Sequence, residues 1–101
     1  MAQYDIYRNP RRGSPAKYLL DVQHRLFSDL RTRVVVPLVA AEGIKPMTRL
    51  NPVFRIEGKR WVMSTTELAG VHLNDIGEKV GSLASHEVEI ISALDYLLTG
   101  V

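Results

Sequence analysis

Over most of the chain apolar and polar positions alternate in short stretches, and near its end they shift to a three- and four-residue spacing. In QYDIYR, Gln3 to Arg8, the two-residue period is that of a half-buried strand, and the breaker-rich NPRRGSP that follows predicts a turn or loop. KYLLDVQ is the expected hairpin partner. TRVVVPLVA, starting at Thr32, is a third strand whose continuous β-branched run predicts burial on both faces, while its Pro37 predicts an edge position or a bulge. After the irregular AEGIKPMTRLN, the stretch PVFRIEGKRWVMST reads as two strands joined by a tight turn at Glu57 and Gly58, with Phe54 and Ile56 on one face and Trp61 and Met63 alternating along the other arm. From Leu83 the period lengthens. Ile90, Ile91, Leu94, Leu97, Leu98 and Val101 recur at helical spacing, with His86, Glu89, Ser92 and Thr99 on the other side, which predicts an amphipathic helix of roughly four turns. Ser85 is its expected N-cap, Glu87 and Glu89 suit the positive end of the helix dipole, and Gly100 falls where a C-cap would. The apolar pattern runs through YLLTGV, Tyr96 to Val101, where a chain more often frays into polar residues. Those residues either pack on their own sheet or face a partner.

Length and composition bound the function. The 101 residues, 46% hydrophobic and 24% charged, predict one globular domain over residues 1–101. No apolar run approaches the roughly 18 residues of a membrane span, and the opening MAQYDIYRNPRR lacks the apolar centre of a secretory signal, so a cytoplasmic protein without a membrane partner is expected. Without cysteine there is no disulfide, thiolate zinc site or thiol nucleophile. The net charge of +2 conceals an asymmetry: up to Arg60 twelve Lys and Arg face five Asp and Glu, and from Trp61 onward one Lys faces six acids. If the fold separates these halves, one face suits an acidic partner or nucleic acid; if it interleaves them, both are solvated surface.

The chemistry is mostly negative. Glycine-rich phosphate loops, nucleophile elbows and zinc-binding H-E-x-x-H are absent from the sequence, so no catalytic residue, metal or cofactor is expected. His24, His72 and His86 lie far apart beside polar neighbours and read as surface residues. Glu87 and Glu89, two apart on a helix, point to different sides, and the hydroxyls of Ser64, Thr65 and Thr66 beside Glu67 are expected to finish a turn.

Several stretches carry a resemblance. LLDVQ (Leu19 to Gln23), RVVVPL (Arg33 to Leu38), NPVFRIEGKRWVMSTTELAGV (Asn51 to Val71), IGEKVGSL (Ile76 to Leu83) and SHEVEIISALDYLLTGV resemble, in order, the CcdB family, toxins of bacterial toxin-antitoxin pairs that poison DNA gyrase. Nearly the whole chain is covered, apart from the loop between Val39 and Leu50. The resemblance implies a mainly β protein with a C-terminal α-helix, a small SH3-like β-barrel in a homodimer, related to the MazF and Kid toxins. It also implies a non-enzymatic mechanism, in which the toxin binds the gyrase A subunit while the enzyme holds a double-strand break and so traps the gyrase-DNA complex. A CcdA-like antitoxin would fold its disordered tail onto the dimer, and the pair would repress its own operon, so that operator DNA is contacted only together with the antitoxin.

The family's gyrase-binding element is a terminal Trp-Gly-Ile tripeptide. Gly100 matches it, Val101 is one methylene shorter than the isoleucine, and Thr99 replaces the tryptophan; Leu98 adjoins them. An apolar pair after the DVQ strand corresponds to Leu26 and Phe27, whose larger ring could replace some of the aromatic area missing at Thr99. Arg8, Arg11 and Arg12 are candidates for antitoxin binding. Two alternatives remain. One is a MazF- or Kid-like endoribonuclease, for which Arg33 with Thr65, Thr66 and Glu67 would have to supply transition-state and proton-transfer groups. The other is a CcdB-like protein with weakened gyrase activity, because Thr99 lacks the aromatic ring.

Overall fold

The computed structural model describes residues 1–43 and 48–101. The alternating stretches form strands β1 (Asp5–Arg8), β2 (Ala16–Asp21), β3 (Thr32–Ala40), β4 (Val53–Ile56), β5 (Lys59–Met63), β6 (Ala69–His72) and β7 (Lys79–Ser82), followed by helix α1 (Glu87–Thr99). All neighbours are antiparallel, in one curled seven-stranded sheet of order β4-β5-β3-β2-β1-β7, with β6 also paired to β3. The protein is therefore mainly β with a C-terminal helix, the architecture expected from the sequence, and the sheet curls into a half-barrel. β6 and β7 were not foreseen: AGVH and KVGS are short, and no residue of either is fully buried, so no period marks them.

β3 is the spine of the sheet. Its β2 edge is paired from Val35 to Val39. On its other edge, Thr32 to Val35 pair with β6 and Leu38 to Ala40 with β5. Adjacent Val35 and Val36 are 1% and 0% exposed, so the β-branched run is buried on both faces as expected. Pro37 is neither on an edge strand nor at a bulge, and this corrects the expectation. Within an antiparallel strand the N–H and C=O of one residue face the same neighbour. The Pro37 oxygen accepts from the Ser64 N–H at 2.9 Å, so its missing N–H falls in the gap where β6 ends and β5 begins. The irregularity in the β2–β3 pairing lies elsewhere, between Ala16 and Tyr18.

The hairpin turn between β4 and β5 has φ 51° at Glu57 and 80° at Gly58. Both central residues are left-handed, the signature of the turn whose twist matches antiparallel strands. Phe54, Ile56, Trp61 and Met63 enter the main core with Ile6, Leu20, Val36 and Leu38. The Trp61 ring meets Tyr18 edge-on at 4.8 Å between centroids. Tyr7, Leu19, Val35 and Val62 are buried on the alternate positions, outside that cluster.

The helix begins later than its pattern. A 3-10 turn over Ala84–His86 precedes it, so Ser85 lies inside that turn and His86 occupies the N-cap without a side-chain capping bond. Ser82 Oγ does accept from the Ala84 N–H at 3.1 Å and serves the turn instead. Glu87 and Glu89 occupy the first turn as expected. The six-residue apolar stripe divides in two. Ile90 and the unforeseen Ala93 are fully buried, and Leu94 packs partly buried on the core, whereas Ile91, Leu98 and Val101 stand outside. One helical residue turns the side chain by about 100°, which carries Ile91 off the face that Ile90 buries.

Candidate functional site

At the end of α1, Leu98 is 73% and Val101 77% exposed. The backbone beneath them is nonetheless fixed. Gly100 has φ 75°, the left-handed C-cap, and its N–H reaches the Tyr96 oxygen at 2.9 Å. The Thr99 hydroxyl donates to the Asp95 oxygen at 2.6 Å and accepts from the Val101 N–H at 3.4 Å. Thr99 therefore turns its polar atom back along the helix to close the last turn. Gly100→Ala is expected to cost about 1 kcal/mol, because nothing crowds the added Cβ and only the positive φ opposes it; paired thermal melts of parent and variant check this.

Leu26 and Phe27 lie on a 3-10 turn over Arg25–Phe27, capped by His24, whose Nδ1 accepts from the Leu26 N–H at 3.0 Å. Both side chains are exposed, Leu26 to 74%, and exposed Leu30 extends the same apolar loop. Leu30 belongs to no periodic stretch and was not foreseen. The loop is held from below. Gln23 Nε2 donates to the Phe27 oxygen at 2.9 Å, and Arg33 on β3 donates to the same oxygen at 3.3 Å and to the Ser28 oxygen at 2.8 Å.

Arg33 is only 3% exposed. Its Nε lies 3.8 Å from Asp21 Oδ2, itself buried. Asp5, also buried, accepts from the Tyr7 hydroxyl at 3.2 Å and meets the exposed Lys79 ammonium at 3.4 Å. Burial pushes the Asp21 carboxyl above its ordinary value; the Gln23 N–H and the Arg33 guanidinium pull it back without cancelling that rise, and Asp5 adds to it. The Tyr7 phenol is likewise held well above its ordinary value, first by burial and then by the neighbouring Asp5. This buried ionic cluster joins β1, β2, β3 and β7 beneath the Leu26–Phe27 loop.

The ribonuclease set is not assembled. Arg33 is buried with Nη1 and Nη2 on carbonyls and Nε turned to Asp21 at 3.8 Å, Thr65 is fully buried with its hydroxyl on the Leu50 oxygen, and Glu67 accepts from Ser64 in the turn that follows β5. Thr66 is exposed. The residues lie at a 3-10 turn as expected, but the Ser64 hydroxyl bonds within it, to Glu67, while that of Thr65 reaches out of it to Leu50.

Of the three candidate arginines, Arg8 pairs with Glu78 on the approach to β7 at 3.2 Å. Arg11 and Arg12 are exposed on the β1–β2 loop, and Arg11 borders an open groove of about 790 Å³ with Leu19, Pro37, Val39, Glu67 and Asp75. His72 caps the 3-10 turn after β6 through Nδ1, and His86 meets Glu89 at 2.9 Å. Among the described residues no group of three or more His, Asp and Glu is placed to hold a metal ion, and no helix is long and apolar enough to cross a membrane.

A solved structure of an endoribonuclease in complex with its cognate antitoxin, from Mycobacterial species, superposes with a TM-score of 0.77, covering 97% of this chain and 94% of that one. At 16% identity this likeness shows a shared fold. The family model described as CcdB protein matches residues 3–100. On that match, which spans nearly the whole sequence, the chain belongs to the CcdB family.

Proposed function

We propose that this protein is the toxin of a toxin-antitoxin pair and acts by binding rather than by catalysis. Its target is the DNA gyrase A subunit, which it holds in the DNA-cleaved state through Thr99, Gly100, Val101 and Leu98, with Leu26 and Phe27 as a second apolar contact. The observation that supports this most is the state of the α1 end: Leu98 and Val101 stand in water on a backbone closed by hydrogen bonds, while Ile90 and Ala93 complete the core without them. An ordered apolar tip loses little entropy on docking. A homodimer presents the tip twice and suits a two-fold target. The antitoxin partner draws support from the antitoxin held by the structural neighbour; its acidic or disordered tail is assigned to Arg8, Arg11 and Arg12, and the pair together represses its operon. Linear DNA should accumulate when purified gyrase turns over plasmid with this protein present and not without it.

The endoribonuclease reading has the neighbour's fold in its favour. It would need a group other than Arg33, whose guanidinium is buried. Specific RNA cleavage by the purified protein, with no linear DNA in the gyrase assay, would decide for it.

A further inference from the structure

Helix α1 carries no basic residue in its last turn, although the exposed carbonyls and the negative end of the helix dipole favour a cation there. A residue far away in sequence supplies one. Arg49, in the segment leading to β4, places its Nε 2.8 Å from Ser92 Oγ and its Nη2 2.6 Å from the main-chain oxygen of Val101. Its guanidinium carbon lies 4.9 Å from the centroid of the Tyr96 ring. One side chain thus touches the middle of the helix, its last turn and the residue beyond the C-cap.

We infer that Arg49 is a positioning residue for the docking tip: it holds Val101 by its main-chain oxygen and so sets the direction in which Val101 and Leu98 are presented. The inference rests on the reading of Thr99 to Val101 as the contact with the target. Its chemistry is that of a fork. A planar guanidinium offers five donors in fixed directions and can stack on a ring while two of its nitrogens bond, whereas a lysine ammonium is a single point that cannot keep all three contacts. All three contacts lie at the surface, where hydrogen bonds and cations add little to folding stability. Stability and tip order should therefore separate.

The test uses Arg49→Ala and Arg49→Lys in the full chain. Melting temperatures are expected to stay within about 3 °C of the parent. The 15N heteronuclear NOE of the Val101 amide should fall to values of a frayed end in Arg49→Ala, with Ile90 unchanged, and should fall part of the way in Arg49→Lys. Affinity for the purified gyrase A subunit should drop about tenfold in Arg49→Ala, the equivalent of having to immobilise one residue on docking. A Val101 amide as ordered in Arg49→Ala as in the parent overturns the inference, whatever the target. Lost order with unchanged affinity, or a variant that binds more tightly, also overturns it, the latter by showing that Arg49 holds the tip back. If the parent itself fails to bind gyrase A, the target assignment falls, while the amide measurement still decides whether Arg49 holds the tip.

Discussion

Arg33→Ala is expected to remove about 3–5 kcal/mol of folding stability, because it leaves Asp21 buried without its cation. It also frees the Phe27 and Ser28 carbonyls that the guanidinium holds, so the loop carrying Leu26 and Phe27 loses an anchor. The dependence on pH identifies the cause. Burial already raises the Asp21 pKa in the folded protein, so the folded state binds that proton more tightly than the unfolded chain, and this group favours folding more as pH falls through the raised pKa. Losing Arg33 removes an attraction to the charged form and raises the folded pKa further. The stability gap between parent and variant should therefore narrow as pH is lowered from neutrality, and Asp21→Asn placed in the Arg33→Ala background should recover part of the loss at neutral pH. Urea denaturation of all three proteins at several pH values measures both effects. A gap independent of pH would show that the Asp21 charge is not what Arg33 serves.

Removing Thr99 to Val101 should act in the opposite sense, on binding and not on folding. The three residues are exposed and follow the last buried position of α1, so their loss should change stability by no more than about 1 kcal/mol. On the proposed reading, affinity for the gyrase A subunit should fall on the order of 100-fold or more, since the residues lost are the centre of the proposed contact. Leu94→Ala makes the contrast. Leu94 is partly buried against the core, so its truncation should fall toward the lower end of the 2–5 kcal/mol cost of a core leucine and reduce toxicity only through lost folded protein. Thermal melts together with a growth assay separate the two. A truncated chain that melts like the parent and still arrests growth would move the contact away from the tip.

How far the sequence could be read follows from what a hydrophobic period records, which is burial along one element. The strand around Phe54 buries every second residue and those around Leu20, Val36 and Met63 bury consecutive ones; both patterns were legible, as was the Glu57–Gly58 turn, whose need for positive φ is written in its residues. Helix α1 was legible as a helix, but its period could not say that Ile90 faces the sheet while Ile91 and Leu98 face water, because that depends on where the sheet lies. Pro37 misled because the rule for proline in strands assumes a neighbour running the whole length of the edge, and here two shorter neighbours share it. Arg33 was read only as a group for the ribonuclease alternative, and Arg49 was not singled out. One is buried by carbonyls six and five residues back and by a carboxylate, the other reaches a helix more than forty residues on; neither arrangement leaves a local signature. Leu98, Leu26 and Phe27 were singled out through the family resemblance, and the structure adds that all three are exposed on backbone held by hydrogen bonds.

The gap at Pro37 also divides the sheet kinetically. On that edge of β3 the β6 ladder ends at Val35 and the β5 ladder begins at Leu38, with the Ser64–Pro37 bond alone between them. Strand separation spreads bond by bond along a continuous ladder, and it halts where the ladder is missing. Local opening of β6 is expected to release the Arg33 and Val35 amides, which face it, to solvent exchange, while the Val34 N–H stays on Gln23 at the β2 side and the β4–β5 hairpin stays closed on Leu38 to Ala40. On this edge the spine strand is expected to open as two units that meet at a residue with no amide proton of its own, while the β2 ladder on its other edge runs across the gap.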